Sequence, residues 1–192
     1  MSAARILFVV LAALVLAPSA FAKGGSYVFD GGTPRDQAQV RAALDASSFD
    51  WSLVPATVTI HLRRGVEPRS SRGEIWLDTD LLAAGRFGWA VVQDEYAHQV
   101  DHFLFDDATR ARLNALLGGR DWCYGVAGLS HGAYGCERFS STLVWAYWPS
   151  QHNAYRPASA KDESAAMAPA AFRSLMSRLV GAPRPAFSTR RR

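Results

Sequence analysis

One helix decides most of what this chain can fold into, because it combines buried apolar positions with a row of ionisable side chains. From residue 89 to residue 105, apolar residues recur at three- and four-residue spacing, which predicts a long and largely buried helix. At about 100° per residue, these ionisable side chains share one flank of it: Asp94, Glu95, His98, Asp101 and His102. Burying such groups without partners is costly, so a metal ion, a salt-bridge network or water must satisfy them.

The rest of the chain predicts a small α+β domain. Residues 57–62 and 73–78 alternate between apolar or β-branched and polar residues, which indicates two short strands joined by a polar loop or hairpin. Helical spacing and capping residues predict further helices over these segments: 34–46, 108–117, 135–147 and a last one around 172–179. The expected architecture is a short β-sheet followed by the ionisable helix and a mainly helical second half.

The net charge of +4 comes from the two ends of the chain. Residues 23–182 hold 16 basic and 17 acidic side chains, so the body of the protein is close to neutral. This balance argues against a nucleic-acid partner. The arginines after residue 183 form a basic tail, predicted to be disordered, that suits a weak contact with an anionic cell-envelope surface. The whole chain is 49% hydrophobic and 11% aromatic, which is typical of a globular protein. Residues 23–182 are expected to form a single domain.

Residues 1–22 have the pattern of a secretory signal peptide. Arg5 precedes an apolar run, and the small residues around Ala20 and Ala22 predict cleavage after Ala22. An uncleaved N-terminal anchor is the alternative. We therefore expect the protein to be secreted or to reside in the cell envelope.

Export bears on the two cysteines, Cys123 and Cys136. An oxidising compartment favours a disulfide between them. In the loop-entropy model such a bridge contributes about 3 kcal/mol of stability. A zinc-thiolate site is the alternative, although the sequence lacks the second cysteine pair that such sites often use.

The ionisable helix resembles the motif helix of the zincin metallopeptidases. In that family H-E-x-x-H supplies two zinc-binding histidines and a glutamate that acts as general base. Here the matching segment reads D-E-Y-A-H-Q-V-D, from Asp94 to Asp101, and a later helix opens with C-E-R-F-S-S. A downstream helical glutamate as third ligand is the gluzincin pattern, so the resemblance assigns that role to Glu137. The similarity covers roughly residues 57–147, in the order strand, strand, motif helix, glutamate helix.

The sequence departs from the family at the first ligand, where Asp94 replaces histidine. A carboxylate binds zinc at about the same distance as an imidazole, so Asp94, His98 and Glu137 can still form a three-ligand site. Two anionic ligands weaken the Lewis acidity of Zn²⁺ and shift preference toward Mn²⁺ or Ca²⁺. We therefore expect weak or absent zinc occupancy, with Asp101 as the alternative to Glu137.

The resemblance also implies roles for neighbouring side chains in the hydrolysis of a peptide or protein substrate. Glu95 would take a proton from the attacking water and pass it to the leaving amine. His131 and Tyr134 are candidates to donate a hydrogen bond to the developing oxyanion. Asp101 and His102 would orient the ligands from outside. The sequence gives no evidence on oligomeric state.

Each of these assignments has an alternative. Glu137 can serve only to favour the N-terminal end of its helix, and His131 and Tyr134 can simply pack the disulfide loop. At the level of the whole protein, the alternative is an inactive pseudopeptidase that binds another extracellular molecule. The replacement at Asp94 favours that interpretation, whereas the retained Glu95 argues against it.

Overall fold

The computed structural model describes residues 24–181, and the predicted signal peptide and basic tail lie outside them. The α+β class is confirmed. The strands are β1 (Tyr27–Gly31), β2 (Val58–Arg63), β3 (Arg69–Ser71) and β4 (Glu74–Asp78). The helices are α1 (Pro34–Ala46), α2 (Thr79–Ala83), α3 (Arg86–Leu104), α4 (Asp107–Leu117), α5 (Gly135–Tyr147) and α6 (Pro169–Val180). Single 3₁₀ turns lie at Trp51–Leu53, His131–Ala133 and Glu163–Ala165.

Local capping explains why several helices begin and end where the sequence predicts. Thr33 and Asp36 form a reciprocal capping box at the start of α1, with Pro34 in the first turn. The side chain of Asp106 accepts the first-turn N–H of Thr109 and starts α4. Gly118 ends α4 with a φ of 74°, a left-handed conformation that costs glycine little.

The sheet has four strands in the order β1-β2-β4-β3. Strands β1 and β4 flank β2 and run parallel to it, and β3 pairs antiparallel with β4. The two central strands are the two that the sequence predicts, because Val58, Ile60 and Leu62 alternate with more exposed residues. β1 was not predicted, and β3 lies within the expected loop or hairpin. Both are short edge strands, and β3 contains three polar residues with no apolar alternation.

Helix α3 is held between the sheet and the other helices. Its apolar face contributes Val92, Tyr96 and Val100 to the main core. Each such buried side chain stabilises the fold by roughly 1.5–3 kcal/mol. Gln99 fixes the helix to the edge of the sheet, because its side chain accepts the N–H of Gly73 at 2.8 Å and donates to the carbonyl of Ser71 at 2.8 Å.

Helix α5 packs on the remaining side of α3, so the ionisable flank of α3 faces α5 rather than solvent. The first backbone N–H groups of α5 are satisfied from the preceding loop. Gly135 donates to the carbonyl of Asp121, and Cys136 donates to the carbonyl of Trp122, both at 2.8 Å. This docking fixes where the first turn of α5 lies. Among residues 24–181, no helix combines the length and hydropathy that a membrane crossing requires.

Candidate metal centre

The ionisable flank of α3 meets the first turn of α5. Nε2 of His98 lies 3.4 Å from Oε2 of Glu137 and 4.0 Å from Oδ2 of Asp94. All three residues are buried, with relative exposures of 9%, 5% and 6% respectively. The structure therefore places His98 close to each of the two carboxylates that the sequence suggests as further ligands.

His131 joins the same cluster from the 3₁₀ turn before α5. Its Nε2 lies 3.1 Å from Oε2 of Glu137, and its Nδ1 lies 3.0 Å from Oε2 of Glu163. The guanidinium of Arg138 donates to the carbonyl of Gly132 at 3.1 Å and ties this turn to α5. His131 therefore shares Glu137 with His98, which places it beside the candidate ligands.

Asp94 leaves one buried oxygen without a partner. Its Oδ1 has no hydrogen bond among the described residues and is shielded from solvent. An unpaired carboxylate oxygen is expensive to bury, and burial raises the pKa of Asp94 to about 6 despite the opposing charge of His98. Carboxylates and an imidazole are ligand types that suit a divalent cation. Among the described residues, the side chains whose ligand atoms all lie within 4.8 Å of one another are those of His98, Cys136 and Glu137, and Asp94 adjoins this group through its 4.0 Å approach to His98.

Proton binding by the two histidines balances the negative charge of Glu137. Burial alone would raise the pKa of Glu137, but hydrogen bonds from His131 and His98 hold it well below its usual range. Burial likewise opposes the charging of His98, yet Glu137 and Asp94 raise its pKa to about 9. Glu137 and Glu163 raise the pKa of His131 to about 10. At neutral pH the cluster is thus a buried carboxylate between two imidazolium groups.

Glu95 lies beside this cluster and is 7% exposed. Burial, followed by the charge of Asp94, raises its pKa to about 8. A carboxyl group that titrates near neutral pH suits proton transfer, because it can accept and return a proton at little cost. A cation placed among its neighbours would lower this pKa and favour the ionised form.

The predicted disulfide between Cys123 and Cys136 is confirmed, with 5.4 Å between the two Cα atoms. It closes the loop that carries His131. The Sγ atom of Cys136 lies 3.6 Å from Oε1 of Glu137. The bridge therefore anchors the first turn of α5 directly beside the candidate centre.

No family model, curated protein or solved structure matches this chain. The resemblance to zincins therefore stays a prediction that depends on residues and geometry. Its elements are the E-x-x-H sequence on α3, the acidic first turn of α5 and the sheet that precedes both. Among the described residues, the structure shows a possible metal-binding cluster in an α+β domain.

Asp101 and Tyr134 both make hydrogen bonds to neighbouring segments. The carboxylate of Asp101 accepts hydrogen bonds from Nε of Arg110 at 2.7 Å and from Nε1 of Trp122 at 3.1 Å. Both oxygens are thus engaged by α4 and the disulfide loop, so Asp101 anchors these segments to α3. The hydroxyl of Tyr134 donates to the carbonyl of Val126 at 2.7 Å and so supports the disulfide loop, which is the alternative role named for this residue.

His102 lies near the C-terminal end of α3 and is partly buried. Burial lowers its pKa, so its imidazole is neutral at physiological pH. Its backbone carbonyl accepts a hydrogen bond from the guanidinium of Arg72. Among the described residues, no hydrogen bond joins the side chain of His102 to a candidate ligand. The role expected for it, orienting the ligands, therefore stays a prediction.

Tyr124 and Tyr155 also lie near the cluster, and the sequence predicts neither of them as a site residue. Burial and the neighbouring Glu137 raise the pKa of Tyr124, which also has a positive φ of 58°. Burial and the charges of Asp94 and Glu95 raise the pKa of Tyr155. The position of Tyr124 beside Cys123 is a signal that sequence reasoning could use, because the disulfide makes it a spatial neighbour of residue 137. Tyr155 lies in an irregular segment with no comparable pattern.

A cleft of about 650 Å³ opens beside the cluster. His131, Tyr155 and Glu163 form part of its wall. Arg156 and Lys161 also line it. The cleft thus gives a solute access to the half-exposed edge of the candidate centre.

Proposed function

We propose that this protein is a secreted, zincin-like metallopeptidase that hydrolyses peptide bonds with the help of a divalent cation. The observation that carries the proposal is the meeting of His98 on α3 with Glu137 on α5, at 3.4 Å between Nε2 and Oε2. Two separate helices deliver these groups to one buried point. The unpaired Oδ1 of Asp94 adds a third donor that lacks a protein partner.

Asp94, His98 and Glu137 would hold the cation, which supplies positive charge to polarise a scissile carbonyl and to acidify water. Glu95 accepts a proton from the attacking water at its carboxylate and returns it to the leaving amine. The pKa of Glu95 is about 8 without a cation, and the positive charge of a bound cation would lower it, so that the ionised carboxylate is available as the proton acceptor. Burial of this carboxyl group limits exchange of that proton with solvent.

Of the two candidate hydrogen-bond donors, His131 is the better placed, because the hydroxyl of Tyr134 already donates to the carbonyl of Val126. Glu163 contacts the other ring nitrogen of His131 at 3.0 Å, which fixes the orientation of the imidazole. With a pKa of about 10, His131 stays protonated at neutral pH and can stabilise negative charge on a substrate oxygen. The hydroxyl groups of Tyr124 and Tyr155 are further candidate donors near the cluster.

The proposal includes a location outside the cytoplasm. The disulfide between Cys123 and Cys136 supports an oxidising compartment, because such bonds are rare where thiols are kept reduced. The sequence of residues 1–22 supports export. Expression with residues 1–22 intact, followed by mass spectrometry of the extracellular or envelope fraction, tests the predicted start of the mature chain at residue 23.

Metal content and proteolysis of the purified protein test the proposal directly. We expect Zn²⁺ or Mn²⁺ to bind with one-to-one stoichiometry by calorimetry, and casein to be cleaved only in its presence. Glu95→Gln should keep the metal and lose cleavage, because it removes the proton acceptor while preserving shape. His98→Ala should lose both. A wild-type protein that binds neither metal, or a Glu95→Gln variant as active as the wild type, would contradict the assignment.

A second candidate, an inactive pseudopeptidase that binds another molecule, is favoured by one observation. Glu137 is already paired with His98 and His131, so the cluster is nearly satisfied without a cation. Asp94→His distinguishes the two candidates, because it restores the family's ligand. If the wild type is metal-free and inert while Asp94→His takes up zinc and gains cleavage that depends on Glu95, the pseudopeptidase is supported.

A further inference from the structure

A second set of potential ligands overlaps the candidate centre and includes a sulfur atom. One nitrogen of His98, the Sγ of Cys136 and one carboxylate oxygen of Glu137 all lie within 4.8 Å of one another. Cys136 and Glu137 are buried, and His98 is only 9% exposed. In the folded protein the sulfur is bonded to Cys123 and has no free thiolate to offer a metal ion.

We propose that opening the disulfide creates a zinc site made of His98, Cys136 and Glu137, and that the disulfide closes this site when it re-forms. Zinc ligands at about 2.0–2.3 Å from the ion are separated by roughly 3.5 Å, so the three atoms need to approach by about an ångström. A thiolate, an imidazole and a carboxylate suit Zn²⁺ better than the oxygen-rich set that contains Asp94. The site shares two residues with the proposed peptidase centre but does not depend on peptide hydrolysis.

The two cysteines differ in a way that gives the reaction a direction. Cys123 lies in an exposed part of the loop, whereas Cys136 is fully buried. A dithiol reductant therefore reaches the bridge from the side of Cys123. Attack of its thiolate on the sulfur of Cys123 forms a mixed disulfide and releases Cys136 as a thiolate inside the cluster.

The second thiol of the reductant then completes the exchange. It attacks the mixed disulfide, leaves as a cyclic disulfide and returns Cys123 as a thiol, so two electrons pass from the reductant to the protein. Zinc takes the place of the protons that Cys136 and His98 would otherwise bind, and those protons go to solvent. Reoxidation reverses these steps and expels the ion by removing one ligand.

Two single substitutions isolate the sulfur without any reductant. Cys123→Ser and Cys136→Ser both abolish the disulfide, but the first keeps the proposed ligand and the second removes it. On the full-length protein, competition with a chromogenic chelator should show that Cys123→Ser binds Zn²⁺ at least roughly ten times more tightly than Cys136→Ser, the low end of what losing a supporting group costs a metal site. With Co²⁺, Cys123→Ser alone should show a near-ultraviolet thiolate charge-transfer band. Equal zinc affinities, or no such band, would overturn the proposal.

Because loss of the disulfide can unfold both variants, thermal unfolding followed by circular dichroism determines whether each variant is folded. If they are unfolded without metal, Zn²⁺ must restore the fold of Cys123→Ser and leave Cys136→Ser unfolded. Failure of that rescue also overturns the proposal. Zinc binding by the oxidised wild type is measured separately and tests the centre that contains Asp94. A negative result there leaves the comparison of the two cysteine variants unaffected.

Discussion

Replacing Asp94 by asparagine should make the metal-free protein more stable at neutral pH. Asparagine keeps the shape of the side chain but cannot ionise, so it avoids the burial of a charge whose Oδ1 has no partner. Burial raises the pKa of Asp94 from 3.8 to about 6. Because each pKa unit corresponds to 1.36 kcal/mol, ionised Asp94 costs the folded state about 3 kcal/mol.

The pH dependence of this gain has a definite sign. The folded state holds the proton of Asp94 more tightly than the unfolded state, since its pKa is higher there. As pH rises from 4 to 6, the unfolded chain releases the proton first and the wild type loses stability. Asp94→Asn escapes this loss, so the two proteins should be similar near pH 4 and differ by about 3 kcal/mol above pH 6.

Most other members of the cluster titrate outside this pH window, and Glu95 changes the difference in the same direction as Asp94. His98 and His131 have pKa values of about 9 and 10, above the window, and the pKa of Glu137 is held below it. Glu95, with a pKa of about 8, also costs stability between pH 5 and 8, but it is present in both proteins. Its pKa is raised partly by Asp94, so neutralising residue 94 adds to the gain in the same direction.

Urea denaturation in the presence of a chelator, at pH 4 and at pH 7, measures this difference. Excess Zn²⁺ should reduce or reverse this difference in stability, because ionised Asp94 can bind the metal in the folded state and asparagine binds it poorly. We expect zinc to raise the unfolding temperature of the wild type more than that of Asp94→Asn. The reasoning is refuted if chelated Asp94→Asn shows no gain between pH 4 and pH 7.

Three further predictions concern the support around the centre. Asp101→Asn should lower the free energy of unfolding by about 2 kcal/mol, the value of a charge-assisted hydrogen bond, with unchanged zinc stoichiometry by calorimetry. Gly135→Ala should destabilise the fold by about 1–3 kcal/mol in urea denaturation, since an added Cβ would lie 2.8 Å from the ring of Trp122. Glu163→Gln should lower the pKa of His131 in NMR titration, while Glu137 keeps it above the ordinary 6.5; an unchanged value would exclude Glu163 as its partner.

The sequence predicts α1, α3, α4, α5, α6 and the two central strands because their signals are local, whereas it gives no prediction for the five-residue helix α2. The apolar spacing of α3 and the capping residues of α1 and α4 lie within the elements that they define. The proximity of His98 and Glu137 is what the resemblance to the gluzincin pattern implies, and nothing in the local spacing of either helix predicts it. The sequence does not predict β1 and β3, because their signals are not local. A short edge strand forms by pairing with the free backbone groups of the neighbouring strand, so its own residues need show no apolar alternation.

The partners of the site were less accessible to sequence reasoning. His131 and Glu163 meet at 3.0 Å although 31 residues separate them, and each lies in a single 3₁₀ turn. Such turns have no extended periodicity, so nothing local indicates which way their side chains face. The expectation that Asp101 orients the ligands, or is the alternative to Glu137, follows from its place on the same flank of α3. In the structure Arg110 of α4 donates a hydrogen bond to this carboxylate, a contact that the sequence does not indicate.

Protons and a metal ion compete for the same atoms in this cluster. Without a cation, His98 carries a proton up to about pH 9 because Glu137 and Asp94 attract its charge. A cation must displace that proton from Nε2 before it can use this nitrogen, so its apparent affinity falls as pH falls. Asp94 strengthens this competition, because its negative charge would stabilise the imidazolium as well as a bound cation. The negative charge of Asp94 that attracts a cation therefore also stabilises the proton on His98, which balances that charge when no cation is bound.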